Sequence, residues 1–75
     1  MQIEHLEQYR KLGLNIAYYR KRLGFSQEQL AEIVNISRTH VSRIETADCA
    51  VSLDVLFDFA AALEVEPYQL LKDKD

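Results

Sequence analysis

Residues Ser26 to Glu45 read SQEQLAEIVNISRTHVSRIE, and this stretch decides the fold. It contains two helix starts and one sharp stop. Ser26 is followed three residues later by Gln29, the spacing of a capping box, in which the serine oxygen takes an orphan N–H and the glutamine reaches back to the cap. This predicts a helix over Gln27–Val34 that buries Leu30, Ala31 and Val34. Asn35 tolerates the left-handed conformation and can end that helix abruptly. Ser37 then caps a further helix over Arg38–Glu45, with Val41 and Ile44 inward. Two short helices joined by so brief a turn must cross closely and steeply. The crossing requires a small residue on the first helix and a permissive residue in the turn, and Ala31 and Asn35 fill those places. Leu30, Val34, Ile36, Val41 and Ile44 supply the apolar contacts between them.

The flanks extend the pattern. Upstream, Leu6, Tyr9, Leu12, Ile16, Tyr19 and Leu23 step by three or four, one face of a long helix. Gly13 interrupts it at about 1 kcal/mol relative to alanine, so that the helix either starts near Gly13 or runs through it. Gly24 sits where a helix end favours positive φ. Downstream, Thr46 to Val51 is a loop. Ser52 caps a fourth helix whose expected inner face is Leu53, Leu56, Phe57, Ala60 and Leu63. Pro67 suits the first turn of a fifth helix reaching about Lys72, and residues 72–75, KDKD, read as a solvated end. No stretch alternates long enough for a strand, and no repeat or low-complexity segment occurs. The fold class is all-α, a compact bundle of five helices. Residues 12–71 form the expected domain, 1–11 a helical extension or arm, and 72–75 a frayed tail.

Composition narrows the function classes. Seventy-five residues with 48% hydrophobic content, two glycines and one proline describe one small ordered domain. One cysteine makes no intrachain disulfide. No apolar run is long enough to span a bilayer, and the N-terminus, which carries acids, lacks the form of a signal peptide. A cytoplasmic location is expected. The net charge of −3 speaks against a polyanionic partner, but the charge is unevenly spread. Residues 10–43 hold seven Lys or Arg against two Glu, a net of +5, while 44–75 hold eight acids against two Lys, a net of −6. Such asymmetry can mark a nucleic-acid-facing surface that the whole-chain figure conceals. His5, His40 and Cys49 lack metal-ligand spacing. Ser37, His40 and Ser42 share one short helix with no acid to orient the histidine, so neither a metal nor a catalytic centre is expected. No cofactor is implied.

The segment SQEQLAEIVNISRTHVSRIE, with LGLNIAYYRKRLGFSQEQLA before it and SLDVLFDFAAALEV and PYQLL after it, resembles the phage-repressor type of helix-turn-helix, the Cro/cI or Xre family. The likeness covers about Leu12 to Leu71. It implies a lambda-repressor-like domain whose third helix enters a DNA major groove, with double-stranded DNA as partner and transcriptional regulation, as a repressor, as the activity. Arg38, Thr39 and Arg43 match the positions that face base edges. Arg38, at the helix start, is placed to pair with guanine in bidentate fashion. Arg43 lies about 140° around the helix from it and would read a base or hold phosphate. Gln27 and Ser37 match positions that touch the backbone or cap, with Ser42 and His40 as weaker candidates. Arg20 matches a residue paired with the acid at Glu45, an ion pair that would tie the first helix to the third and leave Arg20 near phosphate.

The resemblance also implies a homodimer on a pseudo-palindromic operator, with recognition helices about one DNA turn, ~34 Å, apart. Val55, Phe59 and Ala62, flanking the fourth helix's core face, with Tyr68 and Leu71 of the fifth, form the expected seam; the other reading of Phe59 is the edge of the core. Three departures stand out. The loop Thr46–Val51 has no glycine and no basic residue, and it carries Asp48. Glu64 occupies a position where glycine is usual. Ile33 adds apolar surface where a polar residue is common. These features, with the acidic fourth and fifth helices, motivate an alternative: a protein-interaction module, or an antitoxin-like partner, that keeps the fold and binds DNA weakly. Restriction–modification controllers and antitoxins use free-standing domains of this kind.

Overall fold

A computed structural model describes residues 4–73. Among the described residues four α-helices follow one another, α1 Leu6–Arg22, α2 Gln27–Val34, α3 Arg38–Glu45 and α4 Leu53–Leu63, and a 3-10 turn follows at Pro67–Leu70. The core is one cluster drawn from all of them, including Leu12, Ile16, Leu30, Val41, Ile44, Phe59, Leu63 and Leu70.

The serine caps act as their spacing predicts. Ser26 accepts from Gln29 N while Gln29 Oε1 accepts from Ser26 N, completing the capping box. Ser37 accepts from His40 N and Ser52 from Val55 N. The opposite ends share one device. Gly24, Asn35, Ala47 and Glu64 follow the four helices, and each has φ between 60° and 81°. At each one a paired bond closes the helix. Phe25, Ile36, Asp48 and Val65 donate backbone N–H groups to Arg20, Ala31, Arg43 and Ala60 respectively, the Schellman pattern that satisfies the last carbonyls. Of the four residues only Gly24 is a glycine; Ala47 and Glu64 adopt this backbone with a Cβ, at a steric cost.

Gly13 lies inside α1, which runs through it without a break. Its role is close approach. A Cβ built there would stand 2.5 Å from Glu45 O and 2.6 Å from Ile44 O, so the end of α3 passes directly over the glycine. The helix therefore begins at Leu6, and residues 6–11 are its first turns; residues 1–3 lie outside the described segment.

Two expectations need correction. On α4 the buried residues are Leu56, Phe59, Ala60 and Leu63, while Leu53 and Phe57 are 66% and 50% exposed. Two phenylalanines two residues apart point to nearly opposite sides of a helix, and only one can enter the core. Phe59 does so because its flank, with Val55 and Ala62, is packed against the rest of the domain. Phe59 is 0% exposed and therefore cannot form an intermolecular seam. The fifth helix is also shorter than expected. Pro67 opens it, but it stops at Leu70. Asn15 explains the stop. Buried in α1, its Nδ2 donates to Leu70 O and Lys72 O, both at 2.9 Å. Carbonyls that a continuing helix would bond along its own axis are turned onto α1 instead, and the Lys72 backbone is anchored; residues 74–75 of the expected frayed tail lie outside the described segment.

Candidate nucleic-acid interface

The outer face of α3 is set by what its inner face must do. Val41 and Ile44 are buried in the core, and helical periodicity then places Arg38, Thr39 and Arg43 outward. All three are exposed, whereas His40 and Ser42 are half-buried. The three residues expected to face bases thus share the free side of the helix. Ser37 serves α3 as its cap.

Beneath that face lies a polar frame. Arg20 donates from Nε to Glu45 Oε2 at 2.7 Å and from Nη2 to Glu45 Oε1 at 3.2 Å. Its remaining terminal nitrogen, Nη1, donates to Phe25 O at 2.9 Å. Both side chains of the pair are 10% exposed or less. A fork-to-fork arginine–carboxylate pair of this kind is directional as well as strong, and it fixes α3 against α1 from the side where Gly13 lets them meet. Gln27 extends the frame outward: its Nε2 donates to Glu45 Oε1 at 3.0 Å, and its Oε1 accepts from Arg38 Nη1 at 3.4 Å. A continuous chain of polar contacts thus runs from the buried Arg20 to the exposed Arg38.

This geometry revises two expectations. The Arg20–Glu45 pair is present, but Arg20 is turned inward with its donors engaged, and little of its surface remains for phosphate. Gln27 has both ends of its amide occupied by protein partners and acts here as a bridge. Arg43 has a neighbour that its spacing did not announce. Its Nε lies 3.4 Å from Asp48 Oδ2, and its Nη2 donates to Asp48 O at 3.3 Å. In the sequence Asp48 is a local negative charge, and only the turn at Ala47 makes it the partner of Arg43. Asn15, a lone amide between Leu12 and Ile16 on an otherwise apolar stripe, is a legible sign of a buried polar contact that the expected site did not include. No group of three or more His, Cys, Asp or Glu among the described residues is placed to hold a metal.

The helix-turn-helix family model matches residues 16–70, which span the crossing helices, the frame and the 3-10 turn. The chain belongs to the helix-turn-helix family of the Cro/cI (Xre) type. A relative described as a Neisseria hypothetical transcription factor, from Neisseria meningitidis serogroup B, is 40% identical over 60 residues, covering 80% of this chain and 57% of its own length. The chain therefore spans little more than half of that relative. Among solved structures, the restriction-modification controller protein C.AhdI from Aeromonas hydrophila superposes with a TM-score of 0.81 at 33% identity, over 85% of this chain and 97% of that one. SinR, a master regulator for biofilm formation solved in complex with DNA, superposes with a TM-score of 0.77 at 32% identity, over 81% of this chain and 98% of that one. In this helix-turn-helix domain, as its residues are described, no helix is long and apolar enough to cross a membrane.

Proposed function

We propose that this chain is a sequence-specific DNA-binding transcriptional regulator, acting as a repressor, that inserts α3 into the major groove. The observation that carries the reading is the free face of α3: Arg38, Thr39 and Arg43 stand exposed on a helix whose other face is locked by the core and by Arg20, Glu45 and Gln27. The likeness to a DNA-bound regulator and to a restriction-modification controller supports it. Arg38, with two terminal nitrogens at the start of the helix, suits guanine O6 and N7. Selection of bound duplexes from a random pool tests the reading. A preferred site should emerge, and affinity should fall steeply with salt as phosphate counterions are released. Arg38→Ala should cost roughly 1–3 kcal/mol on that site and relax one base position. No enrichment at low salt would defeat the reading.

A homodimer is part of this proposal, on a revised seam. Leu53 and Leu71 line one shallow groove with Val51 and Tyr9, and Phe57 lies one turn along α4 from Leu53. All three of Leu53, Phe57 and Leu71 are about half exposed or more, and Tyr68 is exposed nearby in sequence. A two-fold arrangement through this surface would call for a pseudo-palindromic operator. Leu53→Asp should shift sedimentation at micromolar concentration from dimer to monomer without unfolding the domain. A wild-type monomer under those conditions would remove the dimer from the proposal. The same exposed surface, with Ile33, supports a protein partner as the second reading.

A further inference from the structure

Asp48 sits where the backbone delivers it. Thr46 hooks its hydroxyl onto Ser42 O and Arg43 O. Ala47 then takes φ 60° and reverses the chain, and Asp48 N donates back to Arg43 O at 2.8 Å. The turn that ends α3 thus returns residue 48 to residue 43, whichever side chains they carry. The side chains use that return. The Asp48 carboxylate lies 3.4 Å from Arg43 Nε, and its carbonyl accepts from Arg43 Nη2. Side-chain exposures of 52% and 71% mean that the pair adds little to stability. It nevertheless engages one outward cation of the recognition face with an internal anion.

From this geometry we infer that Asp48 is a specificity-determining residue: it stands in for phosphate at Arg43 and restrains non-specific attachment to DNA. The inference rests on the DNA-binding reading above. A phosphate oxygen on random DNA offers Arg43 what Asp48 already supplies, and it must also approach a carboxylate. A guanine edge offers two acceptors in the plane of the guanidinium and carries no full charge for Asp48 to repel. Asp48 therefore penalises backbone contacts more than base contacts, and it widens the ratio between a preferred site and random duplex.

The test compares wild type, D48N, R43A and the D48N/R43A double variant in titrations of a random-sequence duplex and of the selected site, at several salt concentrations. D48N should tighten binding to random duplex about five- to tenfold at low salt and steepen the slope of log K against log salt by about one, the signature of one added phosphate contact. The selected site should gain less, so the ratio falls. In the R43A background, D48N should change random-duplex binding by less than about twofold, because the cation to be released is gone. An unchanged or weakened random-duplex affinity in D48N overturns the inference. So does an equal gain with and without Arg43, which would make Asp48 a distant repulsive charge only. In the free protein, the Nε–H resonance of Arg43 should move on D48N, and an unmoved resonance also overturns it. Failure of both wild type and D48N to bind any duplex sinks the DNA reading and this one together, whereas wild-type binding that ignores D48N sinks this one alone.

Discussion

Replacing Gly13 with alanine sets two effects against each other. Helix propensity alone favours the change by about 1 kcal/mol, because glycine in a helix interior carries excess unfolded-state freedom. The structure opposes it. The new Cβ would lie 2.5 Å from Glu45 O and 2.6 Å from Ile44 O, against 3.4 Å for ordinary contact. Both obstacles are backbone atoms at the end of α3, so no side chain can swing aside. Helix α1 must retreat by several tenths of an ångström along a seam that also holds the Arg20–Glu45 pair. Overpacking costs about 1–3 kcal/mol, and backbone obstacles at 2.5 and 2.6 Å that cannot swing aside place this site in the upper part of that range, about 2–3 kcal/mol. Once the propensity gain is subtracted, a net loss of about 1–2 kcal/mol remains, which in a domain this small lowers Tm by roughly 5–15 °C. Thermal melts followed by circular dichroism measure it. Gly24→Ala is the control: nothing lies within 4 Å of its added Cβ, but its φ is +81°, so its cost is conformational strain of about 1 kcal/mol. The two variants part in DNA titrations, where Gly13→Ala should weaken binding because α3 is displaced, while Gly24→Ala leaves α3 in place. A Gly13→Ala protein that melts at or above the wild-type temperature would refute the close approach of α1 and α3.

Two other substitutions examine separate links. Glu64→Gly removes a Cβ from a left-handed backbone at an exposed helix end and should stabilise the fold by about 0.5–1 kcal/mol in urea titrations, with DNA affinity unchanged. Arg20→Ala leaves the Glu45 carboxylate buried without its main partner and should cost about 3–5 kcal/mol in the same assay, a loss large enough to unfold much of the population at ambient temperature.

How legible the fold was depended on how local each determinant is. The starts of α2, α3 and α4 could be read because Ser26, Ser37 and Ser52 bond three residues ahead. The same holds for the stop at Asn35, a residue type that takes the left-handed conformation at low cost. The inner face of α4 was misread because Phe57 and Phe59 are equally apolar, and the choice between them belongs to what packs against the helix. The end of the 3-10 turn depends on Asn15, 55 positions from Leu70, and no spacing rule reaches that far. At the interface, Arg38, Thr39 and Arg43 could be placed from helical periodicity together with family likeness. The inward turn of Arg20 and the return of Asp48 to Arg43 required the three-dimensional course of the chain.

The frame beneath α3 separates two tasks that could have been entangled. Position is held by Arg20, Glu45, Gln27, Val41 and Ile44; of the residues offered outward, Arg38 adds one long bond to Gln27 and Arg43 an exposed pair with Asp48 in the turn after the helix. The outward letters of the helix can therefore be rewritten while its seat is kept. In effect the domain is a socket with an exchangeable key: substitution at three surface positions changes what the outer face of α3 offers a partner while the fold is kept.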